Sequence, residues 1–375
     1  MLYPIFKIIM KVYFNMYYKK IYIEGADQIP EGVPLVFICN HPNSFMEACL
    51  LATFQNRPLH FLVRGDMFEK KWLAPILRET NQIPIYRFKD GFEKLRNNKS
   101  SFSASFDILA ENKCILLFPE GSTEFVPWLR PFQKGAARLA TGTIEEKGID
   151  DVFVLPCAVH YFDALETRST VAIQFGNAIS TKEFFQNKNS TDILSDYTNH
   201  LYQKMDELVI SYPKKLPRKP LDEQLQDAFT RPKSLFNLFH SKESVHSKCK
   251  IAMDKFVNQN EAILEPKISS SLLRKIVLSL LIFILSILSI PAIILFYPTL
   301  FFVKKWSKTL KSIEFQAPTR LAVSLMLHLF ISKIFFFLCW YFLDFNKALV
   351  ATALLQVSLF SLLILKDSIT ILKLE

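Results

Sequence analysis

Apolar residues follow two different periods along this chain. Between residues 21 and 212, short runs rich in β-branched and aromatic residues alternate with longer stretches of helical period; the runs are Ile21–Glu24, Leu35–Cys39, His60–Val63, Ile83–Arg87, Cys114–Phe118, Phe153–Tyr161 and Thr170–Phe175. The runs predict strands of a mixed, largely buried sheet. The stretches between them predict flanking helices near 46–55, 67–79, 91–111, 131–142 and 180–211, so 21–212 reads as one α/β domain. Residues 1–20 are almost wholly apolar and aromatic, but Lys7, Lys11, Asn15 and Lys19 recur every fourth position and stack into one polar stripe on a helix. Such a helix lies in a membrane interface or packs on the domain.

Three prolines between Pro213 and Pro220 remove backbone donors and bar regular structure, which marks a domain boundary. A basic linker and polar helical segment is expected over 213–266. The membrane region, 267–375, holds three apolar stretches at 276–303, 321–343 and 348–365, against the roughly 20 residues a spanning helix needs. Arg274 and Lys275 precede the first stretch, and Lys304, Lys305, Lys308, Lys311 and Arg320 follow it. Cations on both flanks conflict with a single crossing, and Pro291 and Pro298 interrupt the run. A re-entrant or interfacial hairpin is therefore expected over 276–303, with a third span as the alternative. A spanning hairpin turning at Asp344–Lys347 should follow it. Lys333 falls inside a predicted span, where a charge has to face protein or water.

Composition sharpens this picture in three places. Half of the 375 residues are hydrophobic, 35 of them Phe, and their surplus sits in the last hundred positions, which points to a multi-pass or re-entrant membrane protein. The formal charge of +10 suits anionic lipid or phosphorylated substrates, and would also suit nucleic acid. The six cysteines, Cys39, Cys49, Cys114, Cys157, Cys249 and Cys339, have neither zinc nor disulfide spacing and read as reduced, buried thiols. No His/Asp/Glu cluster has ligand spacing, so no metal is expected. With no cleavable signal in the first residues, the main domain is expected on the cytoplasmic side.

Three blocks can carry chemistry. Asn40-His41-Pro-Asn-Ser-Phe-Met-Glu47 follows an apolar strand, where α/β folds place functional loops. A loop opening into a helix can return Glu47 to the imidazole, fixing its tautomer and stabilising the cation formed when His41 takes a proton. Phe118-Pro-Glu120-Gly121-Ser122-Thr123 also ends a strand: Gly121 permits a tight path, and amides with two hydroxyls can hold a phosphate or an oxyanion. Lys134-Gly-Ala-Ala-Arg138 can open a helix whose N-terminus favours an anion. Ile83-Pro-Ile-Tyr-Arg87 ends in a guanidinium able to grip phosphate, and Arg64 ends the preceding strand in the same way. Taken singly, each has a plainer reading: a structural histidine, a turn, a surface charge.

In this order and spacing the blocks resemble the phospholipid/glycerol acyltransferase family over about residues 35–160, with Val154-Leu155-Pro156 matching its hydrophobic strand with proline. The resemblance implies His41 as general base, Arg87 with the Glu120–Ser122 region on the acceptor's phosphate, and Pro156 in the acyl pocket. The family's common block is His-x4-Asp, whereas this chain has five intervening residues and Glu47. That spacing is similar to the glycerol-3-phosphate/dihydroxyacetone-phosphate branch, as is the run through Leu129-Arg130-Pro131. Glu124 stands where many relatives present Arg, leaving Arg130 or Lys134 to supply the cation. The implied activity is transfer of a fatty acyl group from acyl-CoA or acyl-ACP to glycerol-3-phosphate. Transfer to 1-acylglycerol-3-phosphate is the alternative, and a non-catalytic membrane lipid-binding protein the alternative of another class. Implied partners are membrane lipids, the thioester donor, the phosphorylated glycerol and acyl carrier protein, with no nucleic acid and no cofactor beyond the co-substrate.

Overall fold

The computed structural model describes residues 2–86, 98–186, 191–211 and 272–374. Arg87 and the segment 213–266 lie outside these. Helix α1 (Leu2–Tyr17) leads into β1 (Lys20–Glu24), β2 (Leu35–Cys39), α2 (Met46–Phe54), β3 (Leu59–Arg64), α3 (Ala74–Glu79), β4 (Gln82–Ile85) and α4 (Asn98–Ala110). The chain continues through β5 (Cys114–Leu117), α5 (Gly135–Lys147), β6 (Phe153–Tyr161), β7 (Thr170–Phe175), β8 (Ile179–Ser180), α6 (Thr181–Gln186) and α7 (Ile193–Leu208). The expected mixed α/β sheet with flanking helices is the architecture found. The helix predicted over 180–211 is two helices, and the two-residue β8 is too short to leave a period in the sequence.

The strands run in the order β1-β7-β6-β2-β5-β3-β4, with β8 paired to β6. Strands β6, β2, β5, β3 and β4 are mutually parallel, while β7 is antiparallel to β6. Central β2 explains the layering. Its five residues are all fully buried, and their pleat sends Leu35, Phe37 and Cys39 to a core shared with α1 and α2. Val36 and Ile38 point the other way, into a core with α4, α5 and α7. A strand covered on both faces reads as a continuous apolar run, as Leu-Val-Phe-Ile-Cys does. Because five strands point the same way, their C-terminal ends share one edge, and the loops after β2 and β5 meet there.

Four helices close the chain: α8 (Leu272–Leu288), α9 (Ile290–Ser307), α10 (Gln316–Phe342) and α11 (Phe345–Leu374). The last two are long and apolar enough to cross a membrane. Helices α8 and α9 bend by 76° at their break, the geometry of a broken span or a re-entrant loop. Pro291 sits in the first turn of α9, where its missing N–H costs nothing.

The loop between β6 and β7 fastens this bundle to the domain. Arg168, in the left-handed region at φ 65°, pairs with Asp367 of α11 and donates to the Met16 carbonyl at 2.9 Å. Lys304 reaches Glu166 at 2.6 Å, and buried Arg320 donates to the Leu165 carbonyl and to Ser307 Oγ. Helix α1 bridges the two parts: Phe14 and Tyr17 enter the domain core, while Met16 packs on Phe296 and Leu355 of the bundle. Within its expected polar stripe, Lys7 donates to the Gln55 carbonyl, whereas Ile5, Ile8 and Val12 stand more than half exposed.

Candidate active site

The site begins where β2 ends. Asn40 extends the sheet with its side chain: Nδ2 donates to the Val159 carbonyl at 3.0 Å, and the Val159 N–H donates to Oδ1 at 2.9 Å. His41 is thereby pinned to the strand edge. The chain then turns through Ser44, left-handed at φ 56°, and enters α2 at Met46. Glu47, in the first turn, comes back to the imidazole: His41 Nδ1 and Glu47 Oε2 are 3.1 Å apart. Glu47 is completely buried, and its second oxygen accepts a hydrogen bond from Tyr161 at 2.8 Å. Phe118 stacks on the His41 ring at 3.8 Å and 9°. A carboxylate on Nδ1 selects the Nδ1–H tautomer and leaves Nε2 as the basic nitrogen. Burial first, and the Glu47 charge next, push the Tyr161 phenol well above its ordinary pKa, so it stays a donor.

The loop after β5 packs beside this dyad. Gly121 has φ 74°, and its N–H donates to the Phe118 carbonyl at 3.1 Å. A Cβ there would also lie 3.1 Å from Gln133 Cγ. Gly121→Ala is therefore expected to lower stability by about 1–2 kcal/mol, read as a drop in melting temperature. Glu120 is 3% exposed and bound by Arg130 at 2.5 Å. Burial raises the Glu120 pKa, and the adjacent guanidinium opposes that rise. Arg130 also donates to Ser122 Oγ at 2.9 Å and to Glu124 at 3.4 Å, while the Glu124 N–H donates to the His41 carbonyl. Arg130 is thus the cation that ties this loop together against the histidine. An open cleft alongside is lined by Asn40, Pro42, Glu120, Trp128, Ala158 and Tyr161, among others.

The remaining sequence-derived residues are placed differently. Arg64, at the end of β3, is half exposed and held by both oxygens of Asp66. Lys134 precedes α5 and pairs at 3.1 Å with Asp192, the N-cap of α7. Neither has a contact with the His41–Glu47 pair. Pro156 is buried in β6 opposite Ile38, and its carbonyl accepts from the Gly176 N–H. Pro156 does not line the cleft, although Ala158, two residues along the same strand face, does. Arg87 lies outside the described residues. Among the described residues no group of three or more His, Cys, Asp or Glu could hold a metal.

Tyr161 was not singled out from the sequence. One signal was available: it ends a strand of the same apolar type as the one preceding His41, and parallel strands bring their ends to one edge.

A histidine and a buried acid at the strand edge, with Phe-Pro-Glu-Gly stacked beside them, are the parts the sequence blocks had suggested. Residues 20–160 match the acyltransferase family. Over 83 residues the chain is 34% identical to glycerol-3-phosphate O-acyltransferase 2 of Saccharomyces cerevisiae, covering 22% of this chain and 11% of that protein. A 74-residue segment is 35% identical to glycerol-3-phosphate O-acyltransferase 1 of the same yeast, covering 20% and 10%. The alignments thus span about a tenth of the length of these relatives. Among solved structures, the PlsC 1-acyl-sn-glycerophosphate acyltransferase of Thermotoga maritima aligns with a TM-score of 0.43 and 17% identity, over 57% of this chain and 82% of that one.

Proposed function

We propose that the acyltransferase domain moves a fatty acyl group from a thioester of coenzyme A or acyl carrier protein to the hydroxyl of glycerol-3-phosphate, as a step of phospholipid synthesis. The observation that carries this reading is His41 bound through Nδ1 to a fully buried carboxylate within the matched domain. The acceptor is taken from the names of the two yeast relatives.

In the proposed reaction the acceptor's O–H proton passes to His41 Nε2 as its oxygen attacks the thioester carbonyl carbon. Collapse of the tetrahedral adduct breaks the C–S bond, and the departing sulfur takes the proton from His41. Between these steps the imidazolium is stabilised by Glu47 and by the face of Phe118, a contact that favours a cation. Arg130 holds the loop whose Glu124 N–H reaches the His41 carbonyl, and we assign the acceptor's phosphate to it together with Arg87 and the Glu120–Ser122 loop. Arg64 and Lys134 would serve the same phosphate by leaving Asp66 and Asp192.

The acylated product belongs in a bilayer. The apolar stripe of Ile5, Ile8 and Val12 on α1 is accordingly assigned to the membrane interface, with the domain on the cytoplasmic face. The test offers glycerol-3-phosphate and 1-acylglycerol-3-phosphate separately to the purified protein in lipid, and identifies the products by mass. Monoacylated product from glycerol-3-phosphate supports the reading. Phosphatidic acid from the second acceptor alone would reassign the substrate, and no product from either would remove the activity.

A further inference from the structure

Glu47 poses a geometric problem. A glutamate has one more methylene than an aspartate, hence one more torsion, and inside a protein it can offer either oxygen, or neither, to a neighbour. The structure resolves this by giving each oxygen its own donor: Tyr161 OH on Oε1 at 2.8 Å and His41 Nδ1 on Oε2 at 3.1 Å. We propose that Tyr161 is a positioning residue for the base, holding the long acid so that one chosen oxygen meets His41 Nδ1.

The strand carrying Tyr161 makes the arrangement rigid. Strand β6 is paired on both sides, to β2 and β7. Two of its residues, on the same face, hold the two ends of the dyad. The Val159 backbone clamps Asn40, the residue before His41, and Tyr161 clamps Glu47. The distance between base and acid is therefore set from one strand, although 114 residues separate Tyr161 from Glu47. The phenol has little freedom of its own: its ring is 2% exposed and lies 6.5 Å, centroid to centroid, from the equally buried ring of Tyr18. Removing the hydroxyl leaves Oε1 without that donor in a buried site, so the carboxylate is expected to rotate and share its oxygens. The imidazole then loses its single tautomer.

The effect on turnover rests on the acyl-transfer reading, but the effect on the imidazole does not. The experiment is 15N NMR of histidine-labelled full-length protein in lipid, with His41→Ala identifying the resonance. Wild type is expected to show the Nδ1–H tautomer, and Tyr161→Phe a mixture. In parallel, Tyr161→Phe should lower kcat about 10-fold with KM nearly unchanged. That loss should disappear when the substitution is made in a Glu47→Gln background. Fluorotyrosines of graded acidity at position 161 keep the hydroxyl and the packing, and should shift the His41 nitrogens progressively. An unchanged tautomer in Tyr161→Phe, fixed nitrogen shifts across the fluorotyrosine series, or an equal rate loss in both backgrounds would each overturn the proposal. A tautomer change in a protein that acylates neither acceptor would remove the enzymatic reading and leave the positioning role standing.

Discussion

Replacing His41 with alanine is expected to lower the acyl-transfer rate about 10²–10⁴-fold, the usual worth of a positioned general base. The loss should appear in kcat, with the acceptor's KM close to wild type, because the proposed reaction assigns the proton to Nε2 and the phosphate to other groups. The fold should survive the change. His41 follows β2 rather than filling its core, its side chain is 15% exposed, and Glu47 retains the Tyr161 hydroxyl. Steady-state kinetics beside a thermal melt separate the two effects. A variant that melts near the wild-type temperature yet keeps its rate would remove His41 from the chemistry.

Arg130→Met is expected to have the largest effect on stability. Glu120 and Arg130 are 3% and 12% exposed, so deleting the cation leaves a largely buried carboxylate without its partner. Breaking a buried pair from one side costs about 3–5 kcal/mol. The pH dependence follows from the same burial. In the wild-type protein burial already holds the Glu120 pKa above its ordinary value against the opposing guanidinium. A folded state whose carboxyl pKa is raised binds more protons than the unfolded chain, where Glu titrates near ~4.3. Stability from this group is therefore present at low pH and is lost as pH rises through the folded pKa. Removing Arg130 raises that pKa further and enlarges the loss. The gap in melting temperature between wild type and Arg130→Met should accordingly be wide near pH ~7 and narrow on acidification toward about 5. A gap independent of pH would mean that the cost comes from lost packing.

Much of this architecture was readable because local chemistry and tertiary position agree. Five consecutive apolar residues in β2 announce a strand covered on both faces, and Asn40–Glu47, passing from strand end to helix start, announces an acid folded back on a histidine. Pro291 marked the break between α8 and α9. What stayed hidden depends on strand order and on partners distant in sequence. Tyr161 meets Glu47 because β6 lies beside β2, which no periodicity records. A cation in a sequence does not name its anion: Lys134 belongs to Asp192, 58 residues on, and Arg168 to Asp367, 199 residues on. The sequence offers Arg130 and Lys134 alike; in the fold Arg130 bonds Ser122 and Glu124, whose N–H donates to the His41 carbonyl, whereas Lys134 pairs with Asp192.

The proposed acyl transfer is tested most directly by thiol release from an acyl-CoA by the purified full-length protein in lipid, followed with and without glycerol-3-phosphate. Release is expected to require the acceptor, with one thiol for each acyl group transferred. Release at the same rate with the acceptor omitted, or no release from a folded protein supplied with both substrates, would contradict it.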